Sequence, residues 1–206
     1  MIDRPGKRQR AFSDHVMTWG FTLFSGYHLW TTVFGMPSAY LHRPVHLLFA
    51  VALGFLMYSF TGRKRTGGTP VADVLLSLLA LASFGTFVVI ADKVSERLSM
   101  VDPLTAWELF AGAAGILLVL ELVRRVVGWV LTAVVTAFVA YAFLGPYMPH
   151  VLAHKGFTWK QFVDYQIFGM DGIFSLAIGV SSTYIVVFII FGTFLEMCGA
   201  GGVMMD

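Results

Sequence analysis

The chain has 206 residues, of which 57% are hydrophobic and only 13% charged, and its mean hydropathy is +0.77. A soluble domain carries roughly 45–50% apolar and about 25% charged residues, so most of this chain is predicted to lie in lipid. A formal charge of +2 is too small to suggest nucleic acid as a partner, and the single Cys198 excludes an internal disulfide and a cysteine metal cluster.

A membrane helix needs about 20 mainly apolar residues, because every backbone N–H and C=O must be bonded within its own segment. Six stretches qualify, running approximately over Val16–Met36, Pro44–Thr61, Pro70–Ala91, Leu104–Leu122, Val126–Leu144 and Ile173–Leu195. The first is too long for the core of a signal peptide and has no small-residue cleavage site after it, so it is read as a retained span. Arg43-Pro44, Thr69-Pro70 and Asp102-Pro103 each place proline where a first-turn N–H would be unpaired anyway, with Thr69 and Asp102 as capping residues.

The loops set the orientation. Arg4, Lys7, Arg8 and Arg10 precede the first span, Arg63, Lys64 and Arg65 follow the second, and Arg124 and Arg125 follow the fourth. The alternate connections hold Arg43 alone or balance Lys93, Arg97, Lys155 and Lys160 with acids, so the positive-inside rule puts the N-terminus in the cytoplasm. Between Gly145 and Gly172, Phe157, Trp159, Phe162, Tyr165, Ile167 and Phe168 mix with His154, Lys155 and Lys160, which predicts an amphipathic segment in the headgroup layer. After the last span, Gly199-Ala200-Gly201-Gly202 forms a turn and Val203-Met204-Met205-Asp206 begins an apolar element that does not develop, which predicts a truncated chain. The fold class is therefore all-α integral membrane, with about six transmembrane helices plus one interfacial amphipathic segment.

Chemistry-bearing residues are few. His42 with His46 and His150 with His154 have the i, i+4 spacing that presents two imidazoles on one helical face to a metal. Pro44 interrupts the first pair and the second follows Pro149 in a loop, so interfacial hydrogen bonding is expected of both, and His15 and His28 read as isolated packing residues. Thr105 and Glu108 form a capping box, Glu121 pairs with Arg125 across one turn, and Asp73 suits the positive end of the third helix. The last span combines Gly179-Val180-Ser181-Ser182-Thr183-Tyr184 with Phe191-Gly192-Thr193-Phe194-Leu195-Glu196, giving small residues for close approach and hydroxyl oxygens within the bilayer. Ser181, Ser182, Thr183 and Glu196 are among the polar residues so placed, and the family resemblance that follows implies them as the transport-pathway candidates. No nucleotide-binding loop, nucleophile triad or paired-carboxylate set is present, so neither a catalytic residue nor a metal or organic cofactor is assigned.

Several blocks carry a family resemblance. Leu120-Glu121-Leu122-Val123-Arg124-Arg125-Val126-Val127-Gly128-Trp129 is followed by Tyr141-Ala142-Phe143-Leu144-Gly145-Pro146-Tyr147-Met148-Pro149 and His154-Lys155-Gly156-Phe157, then by Gly172-Ile173-Phe174 and the two blocks of the last span. In that order they resemble the fused four-plus-twelve-helix permeases of tripartite ATP-independent periplasmic (TRAP) transporters. His42-Arg43-Pro44-Val45-His46-Leu47 is similar to the second span of that family. The resemblance implies a small Q-like membrane domain over 1–124 and the start of an M-like transport domain over 125–206. It further implies import of organic acids, dicarboxylate or glutamate-like, on a cation gradient, with sodium as coupling ion bound outside this chain. The partners implied are a periplasmic substrate-binding protein, often of the TAXI class, and the rest of the M-like domain. Residues 172–180 lack the second glycine and the proline usual in the family, which bears on the helix break expected there. The location implied is a bacterial inner membrane, with the chain multi-pass. Two readings from other classes stand beside it: a non-transporting membrane scaffold, and a membrane metalloenzyme built on the histidine pairs.

Overall fold

The computed structural model describes residues 5–65 and 69–199, with side chains described from His15 onward. The glycine run and apolar start at 200–206, on which the expectation of truncation rests, lie outside the described residues, as does Arg4 of the basic tail. In chain order the helices are α1 (Pro5–Phe34), α2 (Ala39–Met57), α3 (Val71–Val89), α4 (Ala91–Glu96), α5 (Ala106–Val126), α6 (Trp129–Leu144), α7 (Trp159–Val163), α8 (Leu176–Val180) and α9 (Val186–Met197). Two π-turns, Asp164–Phe168 and Ser181–Ile185, continue α7 and join α8 to α9. Among the described residues the β structure is a single bridge between Tyr58 and Lys64.

Five helices have the length and hydropathy to cross a membrane: α2, α3, α5, α6 extended to Tyr147, and the continuous run Leu176–Met197. The all-α membrane class follows directly from them. The first expected span does form a helix, α1, but Thr18, Thr22, Tyr27, His28, Thr31 and Thr32 interrupt its apolar surface and it falls outside those five. The second expected span starts five residues early, at Ala39 rather than Pro44. Pro44 sits inside the helix at the cost of one bond, to the Tyr40 carbonyl four residues back, and the remaining turns continue undisturbed.

α2 packs chiefly on α3, and α3 on α5. Their contact surface holds Val51, Phe55, Ala80, Phe84, Phe87, Ala111 and Leu118, all buried. α5 turns a stripe of small residues toward the segment after α6: a Cβ added to Gly112 would lie 2.6 Å from Val163, and one added to Gly115 would lie 2.9 Å from Ile167. That fit gives one face of the expected amphipathic segment its partner inside the bundle. Phe162, Val163, Ile167 and Phe168 are buried in the helical core, and only the other face, with Phe157, Trp159 and Tyr165, is exposed. Sequence alone saw aromatic anchors, but the glycine stripe of α5 admits one side of the segment into the bundle.

α5 continues through Arg124 and Arg125 to Val126, and the chain breaks at Gly128, whose φ of +109° strains any residue with a Cβ. Beyond it α6 buries only Thr132 and points Val130, Val134 and Phe138 outward. An outer surface this apolar matches hydrocarbon and has no counterpart in water-facing helices.

Candidate functional site: imidazoles against a π-turn

α1 and α2 form a helical hairpin about the turn at 35–38, so a residue of α1 faces one of α2 at a similar distance from that turn. Tyr27 and His28 thereby meet His42 and His46, which lie one turn apart on a single face of α2. The helical course of Pro44 makes that face continuous, which corrects both the interrupted pair and the isolated His28 expected from sequence. His28 is 1%, His42 4% and His46 7% exposed.

The third wall is the π-turn Ser181–Ile185. Gly179, just before it, leaves room for Arg43: an added Cβ would stand 2.9 Å from the guanidinium. Arg43 donates to the Phe174 carbonyl at 2.6 Å and to Met170 Sδ at 3.3 Å, tying α2 to the start of α8. Within the turn, His42 Nε2 lies 3.2 Å from the Ser182 carbonyl and Ser181 Oγ 3.3 Å from His46 Nε2. Ser182 Oγ donates back to the Gly179 carbonyl at 3.1 Å.

Hydrogen counting fixes part of this site. A carbonyl only accepts, so His42 carries its proton on Nε2, and its bare Nδ1 accepts from the Tyr27 hydroxyl at 3.0 Å. His46 Nδ1 and His28 Nε2 are 3.2 Å apart and share one hydrogen between them. His28 Nδ1 is buried with no hydrogen-bond partner among the described residues. Rings enclose the cluster: Phe24 meets His28 edge-on at 4.7 Å, and Tyr27 stacks on His42 at 5.6 Å.

Of the residues singled out from sequence, Ser181 and Ser182 enter the cluster directly. Thr183 lies beside it, in a groove of about 320 Å³ between α1 and the last helix whose wall also includes Thr31, Thr32, Met36, Tyr184 and Phe188. Glu196 is exposed near the end of α9, about 20 Å away along the helix at 1.5 Å per residue. Sequence reasoning missed Tyr27, His28 and Arg43; folding the hairpin about its Gly35–Ser38 turn would have paired His28 with His46.

The remaining polar residues close on themselves. His154 has both ring nitrogens occupied, by the Tyr141 carbonyl at 3.2 Å and the Gly156 N–H at 3.0 Å. Among the described residues no three His, Cys, Asp or Glu side chains are grouped to hold a metal ion. In the imidazole cluster both ring nitrogens of His42 are engaged, by the Tyr27 hydroxyl and the Ser182 carbonyl.

At one end of the bundle Asp73 joins Arg65 and Arg125, and Arg125 reaches Glu121 at 2.7 Å, so the expected Glu121–Arg125 pair belongs to a larger buried network. At the other end the Thr105–Glu108 capping box forms as expected and Glu108 also pairs with Lys93. There Arg97 grips Asp164 with two bonds of 2.7 Å. The hydrogen bonds to Asp164 hold the Arg97 guanidinium above its ordinary range. Burial alone would push the Asp164 carboxyl up, but the bonds from Arg97, the Met100 N–H and Ser99 outweigh it and hold the group below the usual carboxylate range. No family model, curated protein or solved structure matches the chain.

Proposed function

We propose that this chain is a membrane component of a TRAP-type secondary transporter that imports organic acids, dicarboxylate or glutamate-like, on a cation gradient with a periplasmic binding protein. One observation carries the proposal most: the last apolar helix widens into a hydroxyl-bearing π-turn, Ser181–Ile185, without interruption, and that turn is seated on buried polar groups of α1 and α2. Secondary transporters place irregular stretches of helix at intramembrane sites, and single π-turns inside α-helices recur at functional sites. Polar groups are expensive inside a bilayer, and each there is a candidate for function. The ordered sequence blocks from Leu120 to Gly201 support the same assignment.

On this proposal α1 is a sixth span, 159–172 lines the membrane interface with its exposed face, 1–124 is the Q-like domain and 125–206 opens the M-like domain. The membrane is a bacterial inner membrane, and the arginine-rich ends of α2 and α5 face the cytoplasm together with the N-terminus.

The test is uptake of labelled C4-dicarboxylates and glutamate into proteoliposomes that contain the permease bearing this sequence, its binding protein and an imposed sodium gradient. Gradient-dependent uptake of an acid is expected, with a loss of about tenfold or more when Ser182 is replaced by leucine, the range of a misplaced contact at a transport site. Absence of uptake for every acid, in protein that stays folded and binds a membrane partner, would replace transport by the scaffold assignment. Unchanged uptake in the Ser181→Ala, Ser182→Ala and Thr183→Ala proteins would remove those residues from the pathway.

A further inference from the structure

We propose that His28 and His46 form a single buried proton-binding site, in which one added proton is shared between the two imidazoles and reported to the last helix through Ser181. The proposal goes beyond transport and requires none.

Its basis is a continuous chain of hydrogen-bonding atoms: Ser181 Oγ, then His46 Nε2 at 3.3 Å, then across the ring to His46 Nδ1, then His28 Nε2 at 3.2 Å, and across that ring to His28 Nδ1, which has no partner among the described residues. With both rings neutral the chain has two polarities. In one, Ser181 donates to His46, His46 donates to His28, and His28 Nδ1 carries a hydrogen with no acceptor in hydrogen-bond geometry among the described residues. In the other every bond is reversed, and His28 Nδ1 presents a bare lone pair. A proton arriving at that lone pair makes His28 an imidazolium. Transfer of the hydrogen on His28 Nε2 to His46 Nδ1 then moves the charge to His46, whose Nε2–H is already donated to Ser181. No bond is broken other than N–H bonds, and the proton count rises by one.

Two features limit the site to one proton. A second would put imidazolium cations on nitrogens 3.2 Å apart, and like charges at that distance cannot both persist in an apolar interior. His42 cannot relieve the pair, because its tautomer is held by the Ser182 carbonyl and Tyr27. The groups facing the pair leave the charge uncompensated. From α1 there are Tyr27 and the ring of Phe24, and from α2 there are His42 and Arg43, whose guanidinium is directed at Phe174 and Met170; the π-turn contributes only the hydroxyls and carbonyls of Ser181 and Ser182. With the proton bound, His46 Nε2 is permanently a donor, so Ser181 is held as its acceptor with its own hydrogen turned elsewhere, and the opposite polarity is excluded. The proton therefore fixes the direction of the bond that seats the π-turn on α2, which the neutral pair leaves free to run either way.

The test is 15N NMR of the full chain, labelled on histidine and held in lipid nanodiscs, across a titration from about pH 8 to about pH 4, the range in which imidazoles change charge. The ring signals of His28 and His46 are expected to move together with one shared midpoint and a total uptake of one proton, while His42 keeps its tautomer. In the His46→Gln protein the midpoint of His28 is expected to shift by about one unit or more, a tenfold change in proton affinity. Separate midpoints for His28 and His46, each unchanged by loss of the other, would overturn the proposal. So would absence of proton uptake by either ring in protein whose near-UV circular dichroism stays native. If His46→Gln fails to fold, the co-titration of the two rings in the unaltered chain decides alone.

Discussion

Asp164 concentrates four hydrogen bonds in one carboxylate, two from Arg97 and one each from Ser99 and the Met100 N–H, and Met100 takes a φ of +64° in supplying its own. Removing one partner of a buried pair leaves an uncompensated charge and typically costs about 3–5 kcal/mol. Asp164→Asn is therefore expected to lose about that much stability near neutral pH in denaturation experiments in detergent. The carboxyl sits below its ordinary range in the folded chain, so its contribution is fully present above the unfolded value of about 3.9 and disappears as the pH falls through the folded value. Denaturation of the two proteins at about pH 7 and again at about pH 3 checks this: the gap between them should narrow on acidification, and a gap independent of pH would show that the asparagine acts by packing alone. Arg97→Lys should not restore stability, because one ammonium cannot supply the paired bonds of a guanidinium.

At the scale of elements, the contact between α5 and the segment from Trp159 to Phe168 rests on absent side chains. Gly115→Leu would drive a branched side chain into Ile167 and Ser83 and is expected to cost about 1–3 kcal/mol, the usual range for overpacking. Hydrogen exchange should locate that cost at 159–168, and acceleration spread evenly over α3 and α5 would place it elsewhere. This contact was also the least legible from sequence. The start of α5 was readable because a capping box is local, Thr105 and Glu108 being three residues apart. The burial of Val163, Ile167 and Phe168 depends on small residues about fifty positions earlier, and no local pattern in 145–172 records them. The histidine cluster was hidden for a related reason. Its spacing is visible within α2 and its partner within α1, but the two join only when the hairpin closes.

For the whole molecule, charge and hydropathy carried the class and the approximate positions of α3, α5, α6 and the last helix, since these depend on composition along one helix at a time. α1 shows the limit of that approach, because its polar residues, of which His28 and Thr31 are buried against other helices, lower the average that marks a span. The proposed orientation is checked with reporter cysteines at Lys64 and Glu96, both exposed, in a chain whose Cys198 is replaced by serine. A membrane-impermeant maleimide applied to right-side-out vesicles should label position 96 and spare position 64; the opposite pattern would invert the orientation. The π-turn at Ser181–Ile185 also has a geometric consequence along the last helix. A residue accommodated beyond the regular repeat advances everything after it by about 100° around the axis, the rotation of one α-helical residue. The face of α8 that meets α2 and the face of α9 that follows it are thus out of phase, and shortening the turn by one residue would rewind α9 so that Phe188, Phe191 and Phe194 exchange the surroundings they now have for those of their neighbours.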